Sequence, residues 1–265
     1  MPSDWNPAQY RQFAAERAQP FFDLLDLIRP ARIRRAVDLG CGPGEMTAVA
    51  VERLDVEQMI GIDNSPAMLQ ATHEWASDRL RFEAGDIASW TAPGDHDLVL
   101  AAASLQWVPD HPTVLAHWAA ALAPGGQLAV QVPANAWMPS HRVMDDLANR
   151  PAWRDEFGPD GPPVDPVAVN VLEPEQYAQI LFDLGFAEQH VRLQVYAHVL
   201  PSTHHVVEWV RGTTLTRFEK RLGPELFARF LADYERELID ALGDNEPQFF
   251  PFRRILFWAR RPHAA

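Results

Sequence analysis

The stretch VDLGCGPGEMT, residues 37–47, decides the fold. A short β-like run, RAVDLG at 35–40, ends in glycines at 40, 42 and 44, and a helical run follows at 45–54. Glycine lets the chain turn sharply and lets its backbone approach a ligand where a Cβ would collide. Between a strand and a helix, such a loop also presents backbone N–H groups at the helix start. A bare Gly-x-Gly-x-x-Gly would be weak evidence, and the position of its last glycine is here Glu45. Specificity comes from Asp38, two residues before the first glycine, and from the third glycine at 44.

Outward from this loop, strands and helices alternate. Residues 58–63 (QMIGID) read as a second strand ending in an acid, 80–86 as a third and 97–104 (DLVLAAAS) as a fourth. APGGQLAVQVP at 123–133 reads as a helix stop, a Gly-Gly turn and a fifth strand. Helices are predicted near 66–77 and 112–122. This rhythm predicts a parallel sheet covered by helices, and the continuous apolar strands fit burial on both faces. Beyond 133 the pattern changes. Residues 134–172 are rich in Pro, Trp, Asp and Gly and read as short helices and loops, and 173–186 as a capped helix ending at Gly185. Sixth and seventh strands are predicted at 191–200 and 253–260. Adjacent antiparallel strands need only a hairpin, so the mostly helical insertion between them is read as a lid, padding of the sheet edge being the alternative. The expectation is an α/β, Rossmann-like fold with a seven-stranded, mostly parallel sheet and a helical cap from C-terminal insertions. Residues 1–133 would hold an N-terminal lid helix and the cofactor-binding core. Residues 134–265 would complete the sheet and supply the cap, from about 134–172 and 201–246.

Composition narrows the function. The 265 residues are 47% hydrophobic and 22% charged, ordinary for a globular protein. No basic start with an apolar run opens the chain, and no stretch reaches the ~18 apolar residues of a membrane span. The single cysteine, Cys41, excludes an internal disulfide and offers no metal cluster, which together point to the cytoplasm. A net charge of −13 without any Lys/Arg run argues against a nucleic-acid partner. A small anionic substrate would need arginines gathered in one pocket.

Asp63 closes the second strand about 20 residues past the loop, where a carboxylate accepts hydrogen bonds from ribose hydroxyls. Asp86 and Ile87 follow the third strand, where a side chain and the next N–H can read an adenine edge; a helix N-cap is the plainer reading of Asp86. The assembly resembles the class I S-adenosylmethionine-dependent methyltransferases. That resemblance implies Gly40, Gly42 and Gly44 along the methionine part of the cofactor and Asp38 at its amino group. It implies Asp63, with Asn64 and Met68 beside it, at the ribose, Asp86 and Ile87 at the adenine, and Ser104 near the transferring methyl.

Other segments are more particular. DWNPAQYRQFAAERAQP at the N-terminus, IDNSPAMLQAT after the second strand and ASLQWVPDHPTVL after the fourth come first. QVPANAWMPSHRVM, YAHVLPSTHHVVEWV and FPFRRILFWARR follow. In this order they resemble the trans-aconitate 2-methyltransferase family over nearly the whole chain. The resemblance implies esterification of a carboxylate of trans-aconitate by S-adenosylmethionine, weaker use of cis-aconitate, citrate and isocitrate, and a monomer.

A carboxylate is ionised near neutral pH, so it needs no general base. Catalysis then reduces to placing one oxygen in line with the methyl and excluding water. No catalytic residue in the acid–base sense and no metal is expected; the search is for cationic and hydrogen-bonding groups, arginine above all. Arg254 comes first, in an otherwise apolar strand, with an edge-strand guard as the alternative. His141, Tyr196 and His198 lie on family-like segments, and each also reads as a satisfied polar group. Arg217 lies in the insertion, one position after Thr216, where the family often has its arginine. Trp5, Asn6 and Tyr10 would fold over the pocket or plug the core, and Trp107 would pack on adenine, acceptor or core. His111 reads as part of a helix start capped by Asp110, Cys41 as a small loop residue, and His204-His205 as no metal site. Other acceptors (another small acid, a phenol or an amine) would keep the methyltransferase, the latter two recruiting His141 or His198 as base. A nicotinamide-dependent oxidoreductase is disfavoured by the glycine spacing and by the lack of a Tyr-x-x-x-Lys pair, and a non-catalytic cofactor sensor by the elaborate cap.

Overall fold

The computed structural model describes residues 14–264. Seven strands form one sheet: β1 Arg35–Leu39, β2 Gln58–Asp63, β3 Leu80–Ala84, β4 His96–Ala102, β5 Leu122–Pro133, β6 Glu188–Leu200 and β7 Gln248–Arg260. Their order is β3-β2-β1-β4-β5-β7-β6. The first five run parallel, and β7 is antiparallel to both β5 and β6. The Gly-Gly pair expected as a turn instead lies inside β5, where the register against β4 slips between His96 and Leu98.

Helices cover both faces because alternate residues of the strands are apolar on both. On one face α1 (Ala14–Leu25) and α2 (Glu45–Arg53) bury Phe21, Leu24, Ala50 and Val51 in one core with Leu98, Leu100, Ala129, Leu256 and Trp258. On the other, α4 (His111–Ala120) and α8 (Pro174–Asp183) set Leu115, Trp118, Tyr177 and Leu181 against Val99, Ala101, Val130 and Phe257. Each such side chain contributes about 1.5–3 kcal/mol by leaving water. The short α3, Pro66–Ala71, ends earlier than the sequence predicts: Thr72 Oγ1 turns back to the Leu69 carbonyl and a 3₁₀ turn follows.

The remaining helices make the cap. They are α5 (Pro139–Ala148), α6 (Pro151–Arg154), α7 (Pro166–Asn170), α9 (Thr203–Arg211) and α10 (Thr216–Leu242), the last broken at Gly223 ahead of Pro224. A third core joins all of them but α7, which lies against the 3₁₀ turn Leu105–Trp107. Met144, Leu147, Trp209, Val210, Phe218, Phe230 and Tyr234 pack on Tyr196, Phe250 and Phe252 of the β6–β7 ribbon. The insertion therefore rests on the sheet through its own hydrophobic core, and β6 and β7 pair along their whole length on either side of it.

Candidate active site

The C-terminal ends of β1 and β4 lie side by side where the winding of the sheet reverses, the crevice in which open α/β sheets bind ligands. Here the two backbones nearly touch. Ser104 is buried and donates its hydroxyl to the Leu39 carbonyl at 2.5 Å. A Cβ on Gly40 would stand 2.2 Å from the Ser104 Cβ, and Gly40 also has a φ of 84°. Ala103 holds a φ of 55° just before Ser104. That left-handed conformation costs a non-glycine residue on the order of 1 kcal/mol, strain of the kind stored at functional sites.

The glycine loop is fastened from two sides. Asp63 accepts the Gly42 N–H at 3.0 Å through one oxygen and the Ser65 N–H at 2.8 Å through the other. Asp38, 3% exposed, accepts the Thr47 hydroxyl at 2.6 Å through Oδ2. Its Oδ1 is buried with no hydrogen-bond partner among the described residues. Burial pushes the Asp38 carboxyl up to about 7; the Thr47 bond opposes that rise and the charge of Asp63 adds to it. Above the loop there is room, since a Cβ on Gly42 would meet nothing within 4 Å. Further along the crevice Asp86 Oδ1 accepts the Ala88 N–H at 3.0 Å, and the Ile87 carbonyl is held by Trp118 Nε1 at 3.1 Å. Met68 lies in the first turn of α3, its N–H on the Ser65 hydroxyl, and Asn64 is exposed at the end of β2. An orphaned buried carboxylate oxygen beside an open glycine ledge suits an ammonium group. The strand-end acid keeps lone pairs for hydroxyls, so the loop fits the methionine and ribose parts of S-adenosylmethionine.

The predicted acceptor residues fall into two groups. Arg254, Tyr196 and His198 share the α1 face of the β6–β7 ribbon. Arg254 Nη1 donates to Gln131 Oε1 on β5 at 3.3 Å, and its guanidinium lies 5.0 Å from the Phe252 ring centre. The Tyr196 hydroxyl donates to Asp23 Oδ2 of α1 at 2.8 Å. Burial, reinforced by that bond, pushes the phenol far above its ordinary range, so it is a fixed donor. His198 stacks between Tyr196 and Trp209, at 6.4 and 5.1 Å.

The second group lies in the cap. His141 is 2% exposed, with Nδ1 3.1 Å from Ser140 Oγ and Nε2 3.1 Å from Asn135 Nδ2 and 3.2 Å from Thr214 Oγ1. Burial pushes it down to about 4, against the raising effect of Asp165 and with help from Arg217, so the ring is neutral at pH 7. Arg217 is ion-paired with Asp145. Trp107 stands on the 3₁₀ turn after Ser104, 41% exposed. Trp5, Asn6 and Tyr10 lie outside the described residues.

The remaining polar residues are placed as follows. Asp110 caps α4 by accepting the Thr113 N–H, and His111 is buried between the Tyr177 hydroxyl and the Leu105 carbonyl. The Cys41 thiol is buried and pushed far above its ordinary range, mainly by desolvation, so it is no nucleophile. His204 pairs with Glu235, but no metal-binding cluster exists among the described residues. The sequence reading passed over Thr47, Asp23, Asn135, Asp145 and Gln131. Only Thr47 carries a local signal, in the first turn of α2 behind the loop.

Fold and site define a class I S-adenosylmethionine-dependent methyltransferase. A family described as a methyltransferase domain matches residues 36–126. Among solved structures the YcgJ protein of Bacillus subtilis superposes with a TM-score of 0.59 at 16% identity, over 92% of this chain and 98% of that one. A Haemonchus contortus phosphoethanolamine N-methyltransferase in complex with S-adenosylhomocysteine gives 0.58 at 16% identity, this chain spanning 52% of its length. Closer relatives are called trans-aconitate 2-methyltransferase. That of Mycobacterium sp. (strain KMS) is 40% identical over 97% of this chain and 99% of its own. The Deinococcus radiodurans protein is 40% identical over 97% and 98%, and the Variovorax paradoxus protein 41% over 90% of each. The chain belongs to the trans-aconitate 2-methyltransferase family, and S-adenosylmethionine is its cofactor.

Proposed function

We propose that this enzyme esterifies a carboxylate of trans-aconitate, giving a monomethyl ester and S-adenosylhomocysteine. Family membership supplies the acceptor. The observation that carries the reading to this chain is Arg254, a half-buried arginine on β7 held toward β5, next to the strand whose end bears Ser104.

Asp38 and the ledge of Gly40, Gly42 and Gly44 hold the methionine part of the cofactor, Asp63 with Asn64 and Met68 the ribose, and Asp86 with Ile87 the adenine. When bound, S-adenosylmethionine supplies an electrophilic methyl on a sulfonium, whose sulfur keeps the bonding electron pair as the methyl leaves. The chain's part is placement. Ser104, locked onto the Leu39 carbonyl, fixes the floor at the end of β4. Arg254 binds a carboxylate of the acceptor, with Arg217 a second cation on the cap side and Tyr196, His198 and Trp107 shaping the walls. The attacking carboxylate oxygen is already an anion, so no proton has to be removed. His141, neutral and enclosed, holds Asn135 and the cap in place rather than acting as a base.

The test is methyl transfer from labelled S-adenosylmethionine to trans-aconitate, cis-aconitate, citrate and a panel of phenols and amines. Selective transfer to trans-aconitate, strongly weakened but still measurable in Arg254→Ala with cofactor binding intact, is the expected result. Cofactor binding with transfer only to phenols or amines would refute the acceptor while leaving the methyltransferase in place.

A further inference from the structure

Gln131 lies on β5 and is 4% exposed, in a run whose neighbours Leu128, Ala129, Val130 and Val132 are fully buried. An amide in such a place is costly unless hydrogen-bonded. Gln127, on the same face of the strand, has an architectural outlet: its side chain holds the Arg29 backbone and Trp258 Nε1. Gln131 is spent differently. Its backbone carbonyl accepts the Ala103 N–H at 2.9 Å, in the strained turn that delivers Ser104. Its side-chain Oε1 accepts Arg254 Nη1 at 3.3 Å. One residue thus touches both the turn at the methyl-transfer end of β4 and the cation assigned to the acceptor.

We propose that Gln131 is a positioning residue: it aims Arg254 at a carboxylate of the acceptor and thereby sets the preference for acidic acceptors. This rests on the acceptor reading above. The amide suits the task because it fixes the guanidinium through a neutral oxygen, so this contact orients the charge without cancelling it. A glutamate at 131 would grip Arg254 by a charge-assisted bond and set a negative group before an anionic acceptor.

Gln131→Met keeps the volume and removes the oxygen. It should raise KM for trans-aconitate at least about tenfold, the worth of one hydrogen bond to a charged group, with kcat little changed. Gln131→Glu should raise KM further. Both should bind S-adenosylhomocysteine as the wild type does, which reports an intact fold; if Gln131→Met does not fold, Gln131→Asn, too short to reach, takes its place. Calorimetric titration of trans-aconitate into protein saturated with S-adenosylhomocysteine should show the same loss without turnover. In an Arg254→Ala background the Gln131→Met effect on kcat/KM should vanish, because the residue acts through the arginine. Wild type that binds no trans-aconitate sinks the acceptor reading. Wild type that binds it while Gln131→Met binds equally, or a Gln131→Met loss that persists undiminished without Arg254, overturns the positioning role.

Discussion

Gly40 and Gly42 lie two residues apart in one loop, both at positive φ, yet alanine should do opposite things at each. At Gly40 the φ of 84° penalises any Cβ by about 1–2 kcal/mol. The new atom would also overlap Ser104 Cβ at 2.2 Å and Oγ at 2.8 Å. Overpacking of a close-packed site costs about 1–3 kcal/mol more, and Ser104 cannot retreat without giving up the Leu39 carbonyl. Gly40→Ala should therefore lose roughly 2–5 kcal/mol of stability, a large share of the ~5–15 kcal/mol of a typical domain. Gly42, at a φ of 56°, faces open space, so alanine there should cost only about 1 kcal/mol of stability. Its methyl would instead occupy the ledge, and S-adenosylhomocysteine affinity should fall at least about tenfold, the equivalent of one such steric loss. Urea unfolding without ligand measures the first effect and calorimetric titration the second. Equal stability losses at the two positions, or wild-type cofactor affinity in Gly42→Ala, would refute the reading that a side chain at 40 meets Ser104 and one at 42 meets the ligand.

Three further outcomes follow from the same geometry. The His141 pKa is held at about 4, below its ordinary value, so the neutral ring's contribution is complete above about pH 6.5 and lost as pH falls through 4. The stability gap between wild type and His141→Asn should shrink by roughly 2–3 kcal/mol from about pH 7 to about pH 4; Asp38, whose raised pKa gives the opposite slope, cancels in that difference. Tyr196→Phe removes the bond to Asp23 Oδ2 and leaves that carboxylate only the Gln19 amide on Oδ1, so thermal unfolding should report a loss of about 1–3 kcal/mol. Because the chain carries a net −13, the rate on an anionic acceptor below saturation should rise as modest salt screens long-range repulsion. A flat or falling rate would show that the local cations already dominate the approach.

Much of this molecule was legible along the chain because the deciding contacts are local. The second strand matches its predicted span, and the glycine loop, Asp63 and the Asp110 cap are written in neighbouring residues. The insertion between the last two strands was visible because strands that pair so fully leave the intervening helices without a connecting duty. What escaped are pairs made only by folding. Tyr196 meets Asp23 across 173 residues of chain, and Arg254 meets Gln131 across 123. A glutamine within an apolar strand carries no mark of the arginine it serves. His141 read as a candidate ligand for a carboxylate because burial, which keeps it uncharged, is a property of the assembled cap.

The insertion leaves the sheet at Leu200 and returns at Gln248, residues that face each other across the ribbon. Its two ends are also tied together, the Thr203 N–H to the Asn245 carbonyl at 3.1 Å and the Thr203 hydroxyl to the Gly243 carbonyl at 2.7 Å. The excursion is closed at its base, so its length and sequence can be traded without disturbing strand register or the cofactor crevice. The surfaces that must find a new cover are the aromatic ribbon beneath, Tyr196, Phe250 and Phe252, and the sides of α5 and α6 at Met144, Leu147 and Trp153. In a lineage, such a plug-in segment lets acceptor range diversify while the donor half stays fixed; in the laboratory, it marks where the covers of two relatives can be exchanged whole.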